Sequence, residues 1–365
     1  MSRSISFLLG AGFSAPMGYP MGWALGELIR SAVKNIAESG DTYYLRDRFP
    51  EILHIMINNY MASHNESFDY EDFFEYIIPY CRDEEIGTKL DKCRISKQIP
   101  IEEMGLNYQN DYQRFVCSLL KDGDGNQFYW DQNKHLLDYK NFIGVLESLL
   151  DRDYEINIHT LNHDLVFESF KKSPIGNEIC DGFDYENVLY YGQNRKGRNV
   201  CLPYFNNKYD KKIRLFKLHG SIDQYTYFKN DYYDNHIKIS NIVDTDKSLY
   251  KLENGRVYEF RFSTITPDFL TGIASKQAVY ETRPLYNKLF PQFEENLKQA
   301  ERLIIVGYGG KDNGINQRII EHFNRSKPCF IFDPYPSKCL RNFAADIGAQ
   351  PIIEKRVEEF EIPNF

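Results

Sequence analysis

The segment Phe7-Leu8-Leu9-Gly10-Ala11-Gly12-Phe13-Ser14 is the strongest structural signal in this chain, because an apolar strand runs directly into a turn bounded by two glycines. Gly10 and Gly12 carry no Cβ, which allows the backbone positive φ and a close approach to a ligand. The N–H groups at the start of the following helix would then point towards an anion. The same turn also packs helices on sheets in many proteins, and the segment alone leaves both interpretations open.

Four later segments end a strand in residues that are suited to ligand binding. Glu155 to Asp164 ends in Thr-x-Asn-x-Asp, and Leu215 to Ser221 ends in a histidine and a glycine. Arg302 to Gly310 repeats the strand-to-glycine pattern, and Pro328 to Asp333 ends on an acid that suits a ribose hydroxyl. Because strand ends of an open α/β sheet form its ligand crevice, this recurrence favours a binding site over packing alone.

In this order, the segments resemble the sirtuin (silent-information-regulator-like) family. The family pattern is Gly-Ala-Gly-x-Ser-x-x-x-Gly-x-Pro, then Thr-x-Asn-x-Asp, then His-Gly, then a late apolar strand with a glycine turn. The resemblance covers roughly residues 4–38 and 152–353. It implies an α/β fold with a Rossmann-like parallel sheet and helices on both faces. The matching residues are Gly10, Ala11, Gly12, Ser14, Gly18, Pro20, Thr160, Asn162, Asp164, His219 and Gly220.

Residues 41–150 differ from the rest of the chain, because apolar side chains recur there at helical spacing. We therefore expect a discontinuous sirtuin-like NAD-binding domain at 1–40 and 151–365, interrupted by a helical insertion at 41–150. The aromatic stripe between Phe68 and Tyr76 is expected in the insertion's core, with an assembly face as the alternative. Residues 171–212 predict irregular strands and turns.

Two departures separate this chain from the protein-deacylating sirtuins. Those proteins follow the proline with Asp-Phe-Arg and carry two Cys-x-x-Cys pairs for a structural zinc. This chain has Met21-Gly22-Trp23 and seven scattered cysteines, of which Cys180 and Cys201 would supply at most two of four ligands. No metal is expected. The chain instead resembles the bacterial defence branch, whose sirtuin-like domains hydrolyse NAD+ when a phage is sensed.

The resemblance implies NAD+ as the substrate and a site at the strand ends. Asn162 is expected to orient water or the ribose hydroxyls, because an amide both donates and accepts. His219 is expected to take a proton at neutral pH. Asp164 either holds the nicotinamide carboxamide or orders its own loop. The other residues expected to contact NAD+ are Gly10, Ala11, Gly12, Phe13, Ser14, Thr160, Gly220, Gly307, Tyr308, Gly309 and Asp333.

Three further residues have alternatives that the sequence leaves open. His159 and His163 flank Asn162 without a family counterpart, so a structural or exposed position is expected for both. Gly309 belongs either to a plain strand-to-helix turn or to a contact with the adenosine ribose, and the family pattern favours the ribose contact. The segment Lys311-Asp312-Asn313 can cap a helix that runs through His322.

The overall composition indicates where the protein acts and which partners it does not bind. The formal net charge of −8 gives no overall attraction to phosphates, so direct nucleic-acid binding is not expected. Scattered cysteines suit reduced thiols, and the first strand begins almost at the N-terminus without a leader or an apolar span. These features predict a cytoplasmic protein that does not bind membranes.

Three functions are compatible with the motifs. An NAD+ hydrolase (NADase) that depletes NAD in antiphage defence is the leading hypothesis. A protein deacylase and a non-catalytic NAD or nucleotide sensor are the alternatives, although a sensor need not keep both Asn162 and His219. A homo-oligomer is expected. A separately encoded HerA-like hexameric ATPase is a candidate partner, because the chain has no Gly-x-x-x-x-Gly-Lys-Ser/Thr loop of its own.

Overall fold

A computed structural model describes residues 3–39, 49–65, 67–82, 101–120, 133–230, 232–240, 242–244, 247–261, 266–269 and 283–362. The chain divides into two compact units. The first comprises Met1–Tyr19, Asn126–Phe269 and Val279–Phe365, and the second comprises Pro20–Gly125 and Leu270–Ala278. This division differs from the sequence-based one at two helices, because it places Gly22–Ser39 in the second unit and Lys140–Asp151 in the first.

All described strands lie in the first unit and are numbered in chain order. They are β1 Ser4–Leu9, β2 Glu155–Thr160, β3 Ile179–Cys180, β4 Phe183–Asp184, β5 Tyr190–Gln193, β6 Asn199–Leu202, β7 Tyr204–Phe205, β8 Ile213–Lys217, β9 Gly220–Lys229, β10 Tyr232–Lys238, β11 Ser248–Glu253, β12 Arg256–Arg261, β13 Pro267–Phe269, β14 Arg302–Val306 and β15 Cys329–Phe332.

The helices of both units are numbered in the same way. They are α1 Ala11–Ser14, α2 Gly22–Ser39, α3 Phe49–Ser63, α4 Tyr70–Arg82, α5 Ile101–Leu119, α6 Lys140–Asp151, α7 Val166–Ser169, α8 Tyr286–Gln299, α9 Asn313–His322 and α10 Lys338–Asp346. Helix α9 begins where Asp312 was expected to cap it. Within the described part of the chain, no helix is long and apolar enough to cross a membrane.

The central sheet has six strands in the order β15-β14-β1-β2-β8-β3, and every adjacent pair is parallel. The inner strands β1 and β14 are mostly apolar and almost fully buried, as is typical of a parallel sheet that is covered on both faces. The predicted α/β class with a Rossmann-like parallel sheet is confirmed.

Helices cover both faces of this sheet, as the alternation of side chains along β1 shows. The Ser6 hydroxyl donates to the Asn296 carbonyl of α8 (3.1 Å), so Ser6 points to the α8 face. The neighbouring Phe7 points the other way and packs edge-on against Phe142 of α6, with ring centroids 5.8 Å apart.

Two antiparallel sheets complete the first unit. Their strand orders are β13-β9-β10-β7-β4 and β12-β11-β5-β6. They share an apolar core in which Tyr190 and Leu249 of one sheet meet Tyr227 and Ile237 of the other. Residues 171–212 contain short strands, as predicted, but the sequence reading does not predict the long hairpin of β9 and β10.

The described part of the second unit consists of α2 to α5. Phe73 of α4 is fully buried at its centre and packs edge-on against Tyr60 and Tyr112, with ring centroids 5.5 and 5.2 Å away. Tyr112 also donates its hydroxyl to the Tyr70 carbonyl (3.0 Å). The rest of the aromatic stripe is partly buried around this centre, in agreement with the expected core position.

Candidate active site

The sequence-predicted site residues follow β1, β2, β8, β14 and β15, which are neighbours in the parallel sheet. Carboxyl ends of parallel strands meet at one edge, where open α/β sheets bind ligands. The fold therefore brings these five strand ends to the same edge of the first unit.

The turns after β1 and β14 are in direct backbone contact. The Gly10 and Gly12 N–H groups donate to the carbonyls of Val306 (3.0 Å) and Gly307 (2.9 Å). A Cβ on Gly10 would lie 2.6 Å from the Gly307 oxygen, and one on Gly12 would lie 2.8 Å from the Gly307 Cα. These glycines are therefore required by the close approach of two backbones.

Gly10 and Gly12 do not adopt the positive φ that the absence of a Cβ would allow. Gly10 is extended, with φ −109°, and Gly12 lies inside α1 without a positive φ. The chain enters the helix directly, so no left-handed residue is needed there. Positive φ is found instead at Gly307 (+62°) and Gly220 (+76°). The N–H groups of Gly10 and Gly12 donate within the protein, and phosphate binding by the N–H groups at the helix start stays a prediction.

Asn162 connects the loop after β2 to the turn after β1. Its Nδ2 donates to the Gly10 carbonyl (2.8 Å) and to the Ser14 hydroxyl (2.9 Å). Its backbone N–H donates to the Thr160 hydroxyl (3.1 Å). Both amide hydrogens are thereby used, which fixes the side chain and leaves Oδ1 as an oriented acceptor.

Phe13 has its side chain in the core of the first unit and not at the surface of the turn. Its ring packs against those of Tyr139 and Phe142, with centroids 5.1 and 4.9 Å away. The Tyr139 hydroxyl donates to the Phe13 carbonyl (2.6 Å), and burial raises the pKa of Tyr139. Any ligand contact by Phe13 would therefore involve its backbone.

Asp164 orders the chain that follows β2. Its Oδ1 accepts from the Val166 N–H (2.9 Å) at the start of α7, and its carbonyl accepts from the Lys217 ammonium group. Of the two roles considered for Asp164, these contacts correspond to the ordering of its loop.

His219 lies in the turn between β8 and β9 and is 4% exposed. Its Nε2 is 3.3 Å from Oδ2 of Asp312, the residue that caps α9. From the sequence, the segment Lys311-Asp312-Asn313 predicts only a helix cap and not this pairing. The position of Asp312 just after the glycine turn of β14 could have indicated the pairing, because that turn lies at the same sheet edge as the end of β8.

The loop of Asn162 and the turn of His219 are held together by hydrogen bonds. The His163 carbonyl accepts from the Ile222 N–H (3.0 Å) and the Ser221 hydroxyl (3.3 Å). The rings of His163 and His219 have centroids 6.3 Å apart. Gly220 is required in this turn because a Cβ there would lie 2.8 Å from the Phe269 Cα.

The turn after β14 is tied to α9. The Tyr308 hydroxyl donates to Oδ1 of Asn316 (2.8 Å) and accepts from the Asp312 N–H (3.2 Å). Its ring is buried, so this side chain supports the turn. Gly309 is exposed, and nothing lies within 4 Å of where its Cβ would be.

Asp333 follows β15 at the same edge. It is half-buried, and its Oδ1 accepts from the Tyr335 N–H (2.8 Å). Burial raises its pKa. The other carboxyl oxygen of Asp333, Oδ2, therefore takes no part in the hydrogen bond of this turn.

His159 is a structural residue. It is fully buried, and its Nδ1 and Nε2 lie 3.0 Å from the Phe7 carbonyl and 3.1 Å from Nδ2 of Asn296. The amide donates to Nε2, so Nδ1 carries the hydrogen and the ring is neutral. Burial lowers the pKa of His159 to about 3.

Among the residues that the structure describes, no three His, Cys, Asp or Glu side chains are grouped in a way that could hold a metal ion. Cys93 lies outside these residues, and the described cysteines are free thiols.

No protein-family model matches the sequence, and no curated protein matches it. Among solved structures, a Sir2 homologue in complex with NAD is 10% identical, with a TM-score of 0.45 over 98% of this chain and 86% of the other. A Sir2 homologue mutant in complex with 2′-O-acetyl ADP-ribose is 9% identical, with a TM-score of 0.42 over 98% and 88%. Sir2Tm bound to a propionylated peptide is 11% identical, with a TM-score of 0.37 over 98% and 90%.

Proposed function

We propose that this protein is an NAD+ hydrolase that cleaves the nicotinamide–ribose bond and releases nicotinamide and ADP-ribose. The observation that carries the proposal is the fixed orientation of Asn162, whose two amide hydrogens are both used by Gly10 and Ser14. Its Oδ1 lies at the strand-end edge to which His219 also belongs. An oriented acceptor and a titratable base are what a hydrolytic site needs to position and deprotonate water.

The adenosine half of NAD+ would lie at the ends of β14 and β15. Gly309 is exposed, with nothing within 4 Å of where its Cβ would be, and can face a ribose. The second oxygen of Asp333 can accept from a ribose hydroxyl, as acids at this position do in other dinucleotide-binding sheets. The pyrophosphate would lie by the turn after β1, near Ala11 and Ser14.

The reaction breaks the bond between C1′ of the ribose and the ring nitrogen of nicotinamide. The bonding electrons go to that nitrogen, so the positively charged ring leaves as a neutral molecule. Positive charge develops at C1′, and the oxygen of a water molecule bonds there. The water loses one proton, so the products are nicotinamide, ADP-ribose and H+.

Within this scheme, Oδ1 of Asn162 accepts a hydrogen bond from the attacking water or from a ribose hydroxyl and so fixes the geometry. His219 accepts the proton that the water loses, a role typically worth about 10²–10⁴ in rate. Asp164 keeps the loop of Asn162 in place through its contact with the Val166 N–H.

A protein deacylase is the second candidate, because the two reactions share the first bond cleavage. The sequence features against it are the Met21-Gly22-Trp23 segment and the lack of Cys-x-x-Cys pairs. A non-catalytic sensor is the third, and the retention of both Asn162 and His219 is the feature against it.

We further propose that the hydrolase acts in the cytoplasm as an NAD-depleting effector of bacterial antiphage defence, as a homo-oligomer. A separately encoded HerA-like hexameric ATPase is the proposed partner. The sequence motifs support this role, and particle mass measured alone and with the ATPase tests the assembly.

The deciding experiment incubates the purified chain with NAD+, with and without an acetylated peptide, and quantifies the products by chromatography. We expect nicotinamide and ADP-ribose in equal amounts without peptide. Nicotinamide release that requires the peptide and yields an acetylated ADP-ribose would establish the deacylase instead. No release in the presence of the partner ATPase, with NAD+ binding retained, would establish the sensor.

A further inference from the structure

The Asp312 side chain joins the turn of His219 to the start of α9. Its Oδ1 accepts from the Ile315 N–H (3.0 Å), which caps the helix. Its Oδ2 lies 3.3 Å from Nε2 of His219. The two carboxylate oxygens therefore have different partners, and a residue that only capped the helix would need just one of them.

The backbone of Asp312 is held independently of its side chain. Its N–H donates to the Tyr308 hydroxyl (3.2 Å), and that hydroxyl donates to Oδ1 of Asn316 on α9 (2.8 Å). With the cap to Ile315, this fixes the direction of the carboxylate. The pairing with His219 is therefore built from rigid groups, so little entropy is lost in forming it.

Two further titratable groups in the described part of the chain lie near His219 besides Asp312. Asp268 lies on β13, which packs against the Gly220 turn, but its carboxylate pairs with His236 (2.6 Å) and Arg283 (2.7 Å). The His163 ring also lies near His219, with centroids 6.3 Å apart, and carries no negative charge.

We propose that Asp312 is the positioning residue of His219, fixing its ring orientation and stabilising its protonated form during NAD+ hydrolysis. This inference rests on the proposed function for its catalytic consequence. The pairing itself is a property of the apo protein, because a carboxylate at this distance favours the imidazolium over the neutral ring.

The test compares Asp312→Asn and Asp312→Ser with the wild type. Both side chains are good helix caps, so α9 is retained while the negative charge is lost. Asp69→Asn is the matched control, because Asp69 also caps a helix by accepting from the Glu71 N–H (3.0 Å) and belongs to the second unit. Thermal denaturation establishes that each variant is folded.

The first readout is independent of turnover. Histidine Cε1–H NMR signals are titrated, and the His219 signal is assigned by its loss in His219→Gln. Removal of the negative charge should lower the proton affinity of His219 by about tenfold or more in both Asp312 variants and leave it unchanged in Asp69→Asn. An unchanged His219 titration in both Asp312 variants would overturn the inference.

The second readout is the pH profile of nicotinamide release. The acid limb should move to lower pH in Asp312→Asn, because a weaker base loses its proton at lower pH. We expect kcat to fall by about tenfold or more, with KM for NAD+ within about twofold, since the two oxygens of Asp312 face the Ile315 N–H and the His219 ring. A loss confined to KM would contradict the positioning role.

The two proposals fail in distinguishable ways. A shifted His219 titration in a protein that releases no nicotinamide would refute NAD+ hydrolysis and retain the pairing. Normal hydrolysis with an unshifted titration and an unshifted acid limb in both variants would refute the pairing and retain the hydrolase.

Discussion

Asn162, His159 and His219 show how neighbouring groups set the chemistry of a polar side chain. His159 and His219 are both buried, yet His159 contacts a carbonyl and an amide, whereas His219 contacts a carboxylate. Burial lowers the pKa of His159 and keeps its ring neutral, whereas a neighbouring carboxylate stabilises the charged form of an imidazole. Residue type alone therefore does not separate a structural histidine from a candidate base.

Replacement of Asn162 by alanine should abolish the reaction while the protein stays folded. The variant loses the oriented Oδ1, and we expect nicotinamide release to fall by at least about 10²-fold, the usual effect of removing one preorganised polar group. The control is Asn324→Ala, because Asn324 is exposed in the turn before β15 at the opposite sheet edge. Near-normal turnover in folded Asn162→Ala would refute the site assignment.

His159 should make the fold sensitive to acid. Its pKa is about 3 in the folded chain and about 6.5 when unfolded, so between these values only the unfolded chain binds the proton. The free energy of unfolding should therefore fall as pH drops below about 6.5, by about 2 kcal/mol at pH 5. Urea denaturation at pH 7 and 5 should show this loss in the wild type and in the control His322→Gln. A loss of the same size in His159→Gln would contradict the assignment.

At the scale of elements, the turns after β1 and β14 depend on each other's glycines. A Cβ on Gly307 would lie 2.5 Å from the Gly12 carbonyl carbon, and its φ of +62° disfavours any other residue. The two strands are adjacent in the sheet, so the fit of these turns determines how closely the strand ends meet.

Gly307→Ala should consequently destabilise the fold. The backbone overlap and the positive φ together predict that the free energy of unfolding falls by at least about 2 kcal/mol. Gly309→Ala is the matched control for stability, because nothing lies within 4 Å of its added Cβ and its φ is not positive. Equal unfolding free energies for the two variants, measured in urea, would show that the turns can separate at no cost.

A buried ion pair ties α7 to β8. Lys217 Nζ lies 3.5 Å from Oε1 of Glu168, and their side chains are 3% and 9% exposed. Burial raises the pKa of Glu168, whereas the positive charges of Lys217 and Lys238 act to lower it. Lys217 also donates to the Asp164 carbonyl, so this pair supports the loop that carries Asn162.

Removing one partner of this ion pair should lower the free energy of unfolding more than removing both partners. Lys217→Met leaves Glu168 without its nearer cation, and we expect about 3–5 kcal/mol of destabilisation. Adding Glu168→Leu should recover part of this loss, which denaturation of the single and double variants measures. Lys212→Met is the control, because its pair with Asp153 is exposed, and its stability should be nearly unchanged. Additive losses in the double variant would contradict the coupling.

For the whole molecule, every candidate site residue falls within the first of the two units. The five strand ends that carry them come from three separate stretches of the chain. A ligand at this edge should therefore stabilise the first unit as a whole.

Hydrogen exchange with carba-NAD+, whose nicotinamide bond is not hydrolysed, tests this expectation. Hydrogen exchange should slow in residues 160–164 and 307–312 when the ligand binds. A ligand at about 100 times its Kd should also raise the free energy of unfolding by about 2.7 kcal/mol. Slowing in α3 of the second unit without slowing at these turns would place the ligand elsewhere.

The sequence alone indicated the parallel sheet, because its strand-end motifs follow one another in the order of the sirtuin family that the sequence resembles. The mostly apolar runs of β1 and β14 agree with buried parallel strands. It also located α9 through the capping segment Lys311-Asp312-Asn313, of which Asp312 is the residue that caps the helix. These signals are local, so a single sequence contains them.

Only the tertiary structure decided which of these residues contact each other. Gly12 meets Gly307 although 295 positions separate them, and positive φ falls at Gly307 and not at Gly12, which lies inside α1. The pairing of His219 with Asp312 and the burial of His159 likewise arise from strand order in the sheet. No spacing along the chain specifies such contacts, since they depend on how distant segments pack.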